Sequence, residues 1–466
     1  MRFNSAMVDE RKYVARSTQF LMKTPRALMN VRVAIPGVAS GRAAIPFVVL
    51  ASLIAVGGTF AVTGGAGVGL RAIAAVLCVA AITILFAWTK RLELALYSLV
   101  PLMTVVRAEP APVEFITVGL LGALALRGEL WKFAPPRSVT IAFIVIALAH
   151  IPALIVAEDR GVAIRFTAAT FLVMAIAYVT FQLASRDPRY VERAYVLAAV
   201  LLGVQTLIAL SPLPIAGEFR MDRYRIEGLF KDPNVFGPFA VPAVALLAAG
   251  RPSMPSALRI PALMLALMPI PASLSRGAVI VLVASLLVLA AVAAYRRWWP
   301  PFIYSAGILG AGLVALVVLL LQPGSSVAEQ RLSLGAQLYD AERFAGQLAG
   351  LNRFLAQPLS FGIGPGQYDV TLDQPSHETY LRMLVETGPL SLIALLVVMW
   401  ASIRLIRQRD LPTVAWTAAL IGFAVYGFFI DILHWRHFWF VIAVPLAIVA
   451  WHAHQRARPP AEAETS

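Results

Sequence analysis

The sequence predicts an all-α fold, a polytopic transmembrane helical bundle of about 12–14 helices with one large, partly helical loop on the outer side. Three observations predict it. The 466 residues are 59% hydrophobic and only 14% charged, with a mean hydropathy of +0.78, whereas soluble domains stay near half apolar. The apolar runs are of helix length and do not alternate. In a bilayer a run of that kind satisfies its own backbone as a helix rather than as a barrel strand. The cations concentrate in short loops between the runs, which is the pattern that sets membrane orientation.

Taken in order, residues 1–43 are a basic tail with Arg2, Arg11, Lys12, Arg16, Lys23, Arg26, Arg32 and Arg42. They lack a long apolar core, so they read as a cytoplasmic segment on anionic lipid and not as a cleaved signal. Membrane helices follow over 44–321. The candidate spans are Ala44–Gly64, Arg71–Trp88, Leu92–Val106, Pro112–Leu126, Val139–Ala157, Ala163–Leu183, Tyr195–Ala209, Phe236–Gly250, Leu258–Ile270, Ala278–Tyr295 and Phe302–Leu321. Several fall short of the roughly 20 residues of a full crossing. Proline-bearing pieces such as "LRIPALMLALMPIPASL" read as kinked or broken helices. Residues 322–377 form the large outer loop. Leu348, Leu351 and Leu355 stand at helical spacing there, Pro358 closes the helix, and "FGIGPGQYD" demands a tight turn. Helices resume over 378–453 as Tyr380–Leu405, Val414–Ile430 and Phe438–Trp451, and 454–466 is a cytoplasmic tail.

With the N-terminus inside and fourteen spans, the inner loops hold Lys90 and Arg91; Arg127, Lys132 and Arg137; Arg186, Arg189 and Arg193; Arg251 and Arg259; Arg296 and Arg297; and Arg404, Arg407 and Arg409. The pattern is consistently positive-inside, and it places both termini in the cytoplasm. The net charge of +14 is thereby accounted for by orientation, which excludes nucleic acid as a partner. Cys78, the single cysteine, lies within an apolar run and packs there, so disulfides and cysteine metal sites are excluded.

Cations on the outer side run against that rule, and they cluster. "EFRMDRYRIEGLFKDPN" holds Arg220, Arg223, Arg225 and Lys231; "SLSRGA" holds Arg276; "DILHWRHFW" holds His434, Arg436 and His437. Arg220, Arg223 and Lys231 read as solvated loop charges. Arg225 and Arg276 border short spans, where an arginine is paired or functional. A guanidinium fork matches a phosphate, and two or three of them converging would suit a diphosphate. His377 ends the large loop directly after the glycine turn, as a candidate general base. Glu378 and Arg382 stand at i and i+4 and can pair, with Glu386 one turn on. Arg436 either neutralises Asp431 or binds an anion. His434 and His437 read as interface anchors with Trp435 and Trp439. They stand at i,i+3 without a carboxylate-rich cluster or an HExxH pattern, so no metal site is expected. No nucleotide motif is present either, which puts the driving energy in the substrate.

Three stretches carry a resemblance. "RIEGLFKDPNVFG" matches an Arg-x-x-Gly-x-Phe-x-x-Pro-Asn segment that ends at Asn234, "LSRGAVIVLVAS" a Ser-Arg-Gly element, and "FGIGPGQY…SHETYLRMLVETG" a glycine-rich turn followed by His-Asn-x-Tyr-Leu and Glu-x-Gly. In that order, and with the late outer loop, the chain from about Val191 to Trp451 resembles the O-antigen ligase / O-antigen polymerase superfamily of bacterial polysaccharide assembly. The resemblance implies a glycosyltransferase of the inner membrane that moves glycan from undecaprenyl diphosphate onto a sugar, lipid or protein acceptor at the periplasmic face. It makes the outer loop periplasmic. It also implies that Arg225 and Arg276 bind the diphosphate with help from Arg436, that His377 activates or aligns the acceptor hydroxyl, and that Asn234, Glu378, Arg382 and His434 support them, with no cofactor and no metal. Glu378 departs from the family pattern, which has asparagine there, and this puts the acceptor type in question. "DILHWRHFW" resembles a subset tied to exopolysaccharide. A transporter or flippase of polysaccharide precursors is the alternative. It would show inverted repeats and ionisable groups near the bilayer midplane rather than polar residues at the outer edge.

Overall fold

A computed structural model describes residues 44–63, 67–222, 224–250, 255–321, 334–357, 360–372 and 377–457. The basic tail, Arg223, Pro358 and the C-terminal end lie outside the described residues. The described residues are overwhelmingly helical and form no multi-residue strand, and an isolated bridge joins Arg220 and Ile226.

Eight helices are long and apolar enough to cross a membrane, among the described residues, and six shorter apolar helices accompany them. The elements that position the site are α1 (Ala44–Thr63), α2 (Val68–Ala87), α3 (Leu96–Leu102), α4 (Pro112–Leu126), α5 (Arg137–Val156), α6 (Arg160–Ala184) and α7 (Pro188–Leu210). They continue as α8 (Pro233–Phe239), α9 (Val241–Ala249), α10 (Ser256–Leu267), α11 (Pro269–Ala272), α12 (Arg276–Tyr295) and α13 (Trp299–Leu321). The series ends with α14 (Leu334–Ala356), α15 (Tyr368–Thr371), α16 (Thr379–Thr387), α17 (Pro389–Ile403), α18 (Leu411–Tyr426) and α19 (Arg436–Arg456).

Local chemistry sets the starts. Asp159 accepts from the Val162 amide, Asp187 from Arg189, Asp232 from Asn234, Ser275 from Ala278 and Asp410 from Thr413, each satisfying an orphan amide of a first turn. Proline at the first position, in α4, α7, α8 and α17, loses no helical hydrogen bond. The proline-rich stretch around Pro261, Pro269 and Pro271 is broken as expected, into α10 and α11.

The centre of the bundle is α9, α18 and α19, with α7 and α12 against them. Trp416, Trp439, Tyr195, Phe239, Phe423 and Phe440 are fully buried there. Tyr195 stacks on Phe239 with ring centroids 5.0 Å apart and meets Trp416 edge-on at 5.1 Å. Its hydroxyl donates to the Phe239 carbonyl at 2.9 Å, which satisfies the one polar atom its side chain carries inside. The outer helices α1, α2, α5 and α17 turn large apolar side chains outward, among them Leu53, Val76, Ile144 and Trp400, as a lipid-facing surface requires.

Two expectations need correction. The run Tyr380–Leu405 is two helices and not one. Gly388 adopts φ 81° between α16 and α17, and Pro389 starts the second. A Cβ at 388 would stand 2.7 Å from the Ser360 carbonyl, so glycine is needed for space as well as for φ. His437 and Trp439 are not interface anchors. Both are buried, His437 being stacked on Trp435 at 5.3 Å and wedged against Phe239 and Phe423. A helix start facing the bundle centre, and not the bilayer edge, accounts for both.

Candidate functional site

The predicted site residues lie at one end of the bundle, where α5 finishes and α6, α12, α16 and α19 begin. The long loop returns there through α14, whose helical span fits the expected spacing. The glycine turn after it takes φ values of 86°, 111° and 70° at Gly362, Gly364 and Gly366. This conformation lets the Ile363 and Gly364 amides reach the Val385 and Glu386 carbonyls at 2.9 and 3.0 Å. Gln367 then forms a two-way clamp with the backbone of Asp159, donating at 3.0 Å and accepting at 2.8 Å.

Two predicted segments are joined directly. The Ile226 amide donates to the Ala272 carbonyl at 3.1 Å. Half-buried Arg225 directs Nε to the Ser273 carbonyl and Nη2 to Asn234 Oδ1, both at 3.4 Å. Asn234 therefore orients Arg225, and the Arg225 segment lies against "SLSRGA". Arg276 opens α12 and is exposed. Lys231 and Arg220, of the same cluster, have structural employment. Lys231 pairs with Glu109 at 2.6 Å, and Arg220 closes the end of α7 by donating to the Ala209 carbonyl at 2.6 Å.

The third segment reaches the same place through a residue the sequence did not single out. Tyr426, the last residue of α18, packs its ring so closely on Gly277 that a Cβ there would collide with it. The loop after Tyr426 is stitched to the start of α16. The Thr379 amide donates to the Gly427 carbonyl at 2.9 Å, and Thr379 Oγ1 donates to the Ile430 carbonyl and accepts from the Ile432 amide, both at 2.9 Å. His377 and Glu378 immediately precede Thr379. Arg225, Arg276, Tyr426 and His377 thus occupy backbone segments that touch in sequence from one to the next. Three non-glycine residues among those described have positive φ, and two of them sit in these motifs, Leu274 at 47° and His377 at 43°. Such backbone costs on the order of 1 kcal/mol and persists where surrounding contacts dictate it.

Glu378 does not turn to Arg382. It caps α16, accepting from the Tyr380 amide at 3.1 Å and from the Leu381 amide, because a helix start offers free amides closer than a side chain one turn away. Burial pushes its carboxyl up to about 7, against the pull of those two amides. Arg382 instead holds Glu386 and Asp431 at 3.0 Å each and Asp369 at 3.7 Å, with its guanidinium 5.0 Å from the Phe166 ring centre. Burial works against its charge, and the three carboxylates outweigh it, so Arg382 stays firmly protonated. Glu386 accepts from the Gly366 and Tyr368 amides at 2.8 and 3.2 Å. It locks the glycine turn to α16.

Arg436 pairs with Glu114 of α4 rather than with Asp431, whose carboxylate Arg382 has taken. His434 accepts or donates through Nε2 with Thr170 Oγ1 at 3.1 Å and meets Phe166 edge-on at 5.2 Å. Burial brings its pKa down to about 4 despite Asp431, so it is neutral at pH 7. His434 shares Phe166 with Arg382, and Arg436 ties the start of α19 to α4. Among the described residues no group of three or more His, Cys, Asp or Glu is arranged to hold a metal ion. A cavity of about 300 Å³ lies elsewhere, between Val139, Phe143, Tyr178, Phe181, Ile442 and Leu446. These belong to the first half of α5, the last turns of α6 and the middle of α19, away from the site end.

Fold and site together define a multi-pass α-helical membrane protein with a polar centre of arginine, histidine and carboxylate at one end of its bundle. Residues 261–396 match the O-antigen ligase family, a family of membrane enzymes of glycan assembly, so the resemblance read from the motifs is supported. The match spans the Ser-Arg-Gly element, the long loop, the glycine turn, His377 and α16, while Arg225, Asn234 and Arg436 lie outside it. No curated protein and no solved structure matches the chain.

Proposed function

We propose that this protein is a glycosyltransferase of the bacterial inner membrane that transfers or polymerises glycan from an undecaprenyl-diphosphate donor onto a sugar, lipid or protein acceptor at the periplasmic face, without metal or cofactor. The observation that carries this reading is the meeting of the Arg225, Arg276 and His377 segments around Tyr426. The reaction needs fixed positive charge where the diphosphate leaves, and preorganised charge of that kind often contributes more to catalysis than any other effect. Arg225 and Arg276 supply it. His377 takes the proton of the acceptor hydroxyl as its oxygen bonds to the anomeric carbon. The bond from that carbon to the diphosphate oxygen breaks, and its electron pair leaves with the lipid diphosphate.

Charge favours the outward placement. The cations of 127–137, 186–193, 296–297 and 404–409 lie at the far ends of α4, α6, α12 and α17, away from His377. Positive-inside orientation then puts the site outside and both termini in the cytoplasm.

The test is glycan transfer from a purified undecaprenyl-diphosphate donor in detergent. Both His377→Ala and Arg276→Ala are expected to lose at least about 100-fold in rate, the usual contribution of a proton-transfer group or charge stabiliser. Full transfer by both variants removes their assigned roles. A reporter fused within 322–376 that proves cytoplasmic inverts the orientation.

A further inference from the structure

Helix α14 has two distinct faces, and the protein itself uses one. Gly346 and Gly350 are buried. The Tyr368 hydroxyl donates to the Gly346 carbonyl at 2.6 Å, and a Cβ at Gly350 would collide with that same hydroxyl oxygen. At about 100° per residue, Phe344, Leu348, Leu351 and Leu355 fall within roughly 60° of one another, on the face opposite those glycines. Their exposures are 70%, 58%, 42% and 62%. Arg353, on the glycine side of the helix, is also exposed. Four large apolar side chains in register are far from the scattered exposure that a soluble surface tolerates.

What lies beside this face points to its occupant. α14 packs on α16, and α16 runs through Gly388 into α17. α17 belongs to a candidate membrane span whose Leu390, Ile393 and Trp400 face outward. Phe361, 57% exposed, sits at the α16–α17 joint, where its backbone is 3.4 Å from a Cβ built on Gly388. The exposed stripe therefore neighbours, through α16 and Phe361, a helix of membrane-spanning length that turns its own large apolar side chains outward. A helix with one such stripe and a polar remainder lies in the plane of a bilayer surface.

We infer that α14 rests on membrane lipid, with Phe344, Leu348, Leu351 and Leu355 in the boundary between headgroups and acyl chains. Its consequence for the site rests on the transfer reaction proposed above. Tyr368 ties α14 to Glu386, and Glu386 to Arg382 and α16. A lipid-seated α14 then holds the His377 end of α16 at headgroup height, which is where the diphosphate of a polyprenyl donor stands.

The experiment needs no donor, so its failure is distinct from failure of the transfer reading. The full chain with Cys78→Ala carries one spin label at a time, at 348, 355 or 353, in phosphatidylcholine–phosphatidylglycerol vesicles. Collision with oxygen, which concentrates in lipid, is compared with collision with a water-soluble nickel chelate. The oxygen-to-chelate ratio at 348 and 355 should exceed that at 353 several-fold. A label at 351 repeats the measurement if the one at 348 disturbs folding. Equal ratios at all positions place the stripe in water and overturn the inference. Shielding from both reagents means that protein, a second copy or another segment, covers the face, and overturns it equally.

Discussion

The two ends of the bundle are built from mirror-image ion clusters. At the end where α4 finishes and α5 begins, one carboxylate, Glu129, collects Arg186 at 2.5 Å, Arg127 at 3.3 Å and Lys132 at 3.8 Å. At the site end one cation, Arg382, collects Glu386, Asp431 and Asp369. The settings differ more than the signs. Glu129 is 20% exposed and its partners Arg186, Arg127 and Lys132 are 9%, 17% and 43%, whereas Arg382 and Glu386 are 9% and 3% exposed, with Asp431 at 18% and Asp369 at 48%. The first cluster leaves its central carboxylate partly exposed and carries an excess of positive charge. The second buries its ions among polar backbone, where breaking a pair strands a charge. One end carries an excess of positive charge, and the other holds a particular geometry.

That contrast is open to breaking. Arg382→Ala should cost about 3–5 kcal/mol, because Glu386 and Asp431 lose the buried cation that holds them, while Glu129→Ala should cost less, since its carboxylate is 20% and not 3% exposed. Thermal unfolding of both variants in detergent compares them, and equal losses would erase the distinction drawn between the ends. Next in size comes Gly388→Ala. The positive φ alone costs about 1–2 kcal/mol, and the Cβ also meets the Ser360 carbonyl. Transfer activity should fall with stability, since α16 must shift. An unchanged melting temperature would show that the joint tolerates a side chain.

The pH dependence has opposite signs at the two ends. Burial raises Glu378 from 4.5 to about 7. The folded state therefore keeps its proton while the unfolded state has lost it, and the contribution from Glu378 falls as pH rises from about 4.5 to 7. Glu129 runs the other way. Burial opposes its charge, but Arg186, Arg127 and Lys132 prevail and lower its pKa, so its contribution is lost as pH drops below the ordinary 4.5. Burial raises Glu386 to about 7 as well, so it adds a slope of the same sign. Glu378→Gln should reduce the first slope and leave the second, and an undiminished first slope in that variant would show that Glu378 does not contribute to it.

How much of this could be read beforehand differs by region. Helix-length apolar runs and loop cations made the bundle legible, because the bilayer imposes those patterns on the chain locally. The break at Gly388 was signalled too. Gly-Pro inside an apolar run is a strong terminator, and hydropathy alone carried the helix through it. The pairing of Arg382 with Glu386 was visible at i,i+4, but the second duty of Glu386 was not, since its amide partners at Gly366 and Tyr368 lie upstream beyond the start of α16. Arg436 and Glu114 are 322 residues apart, and no spacing rule joins them. Tyr426 reads as one more aromatic at the end of an apolar helix. Only the empty space at Gly277 shows what it touches.

That contact has a consequence for anyone hunting loss-of-function alleles. Gly277 and Tyr426 carry no formal charge, yet together they set the gap between the Arg276 and His377 segments. A random screen should return them beside the arginines and the histidine, with a phenotype no milder. A bulkier residue at 277 or a shorter one at 426 would alter the gap rather than the reagents, and a compensating change at the other position is where a suppressor should arise.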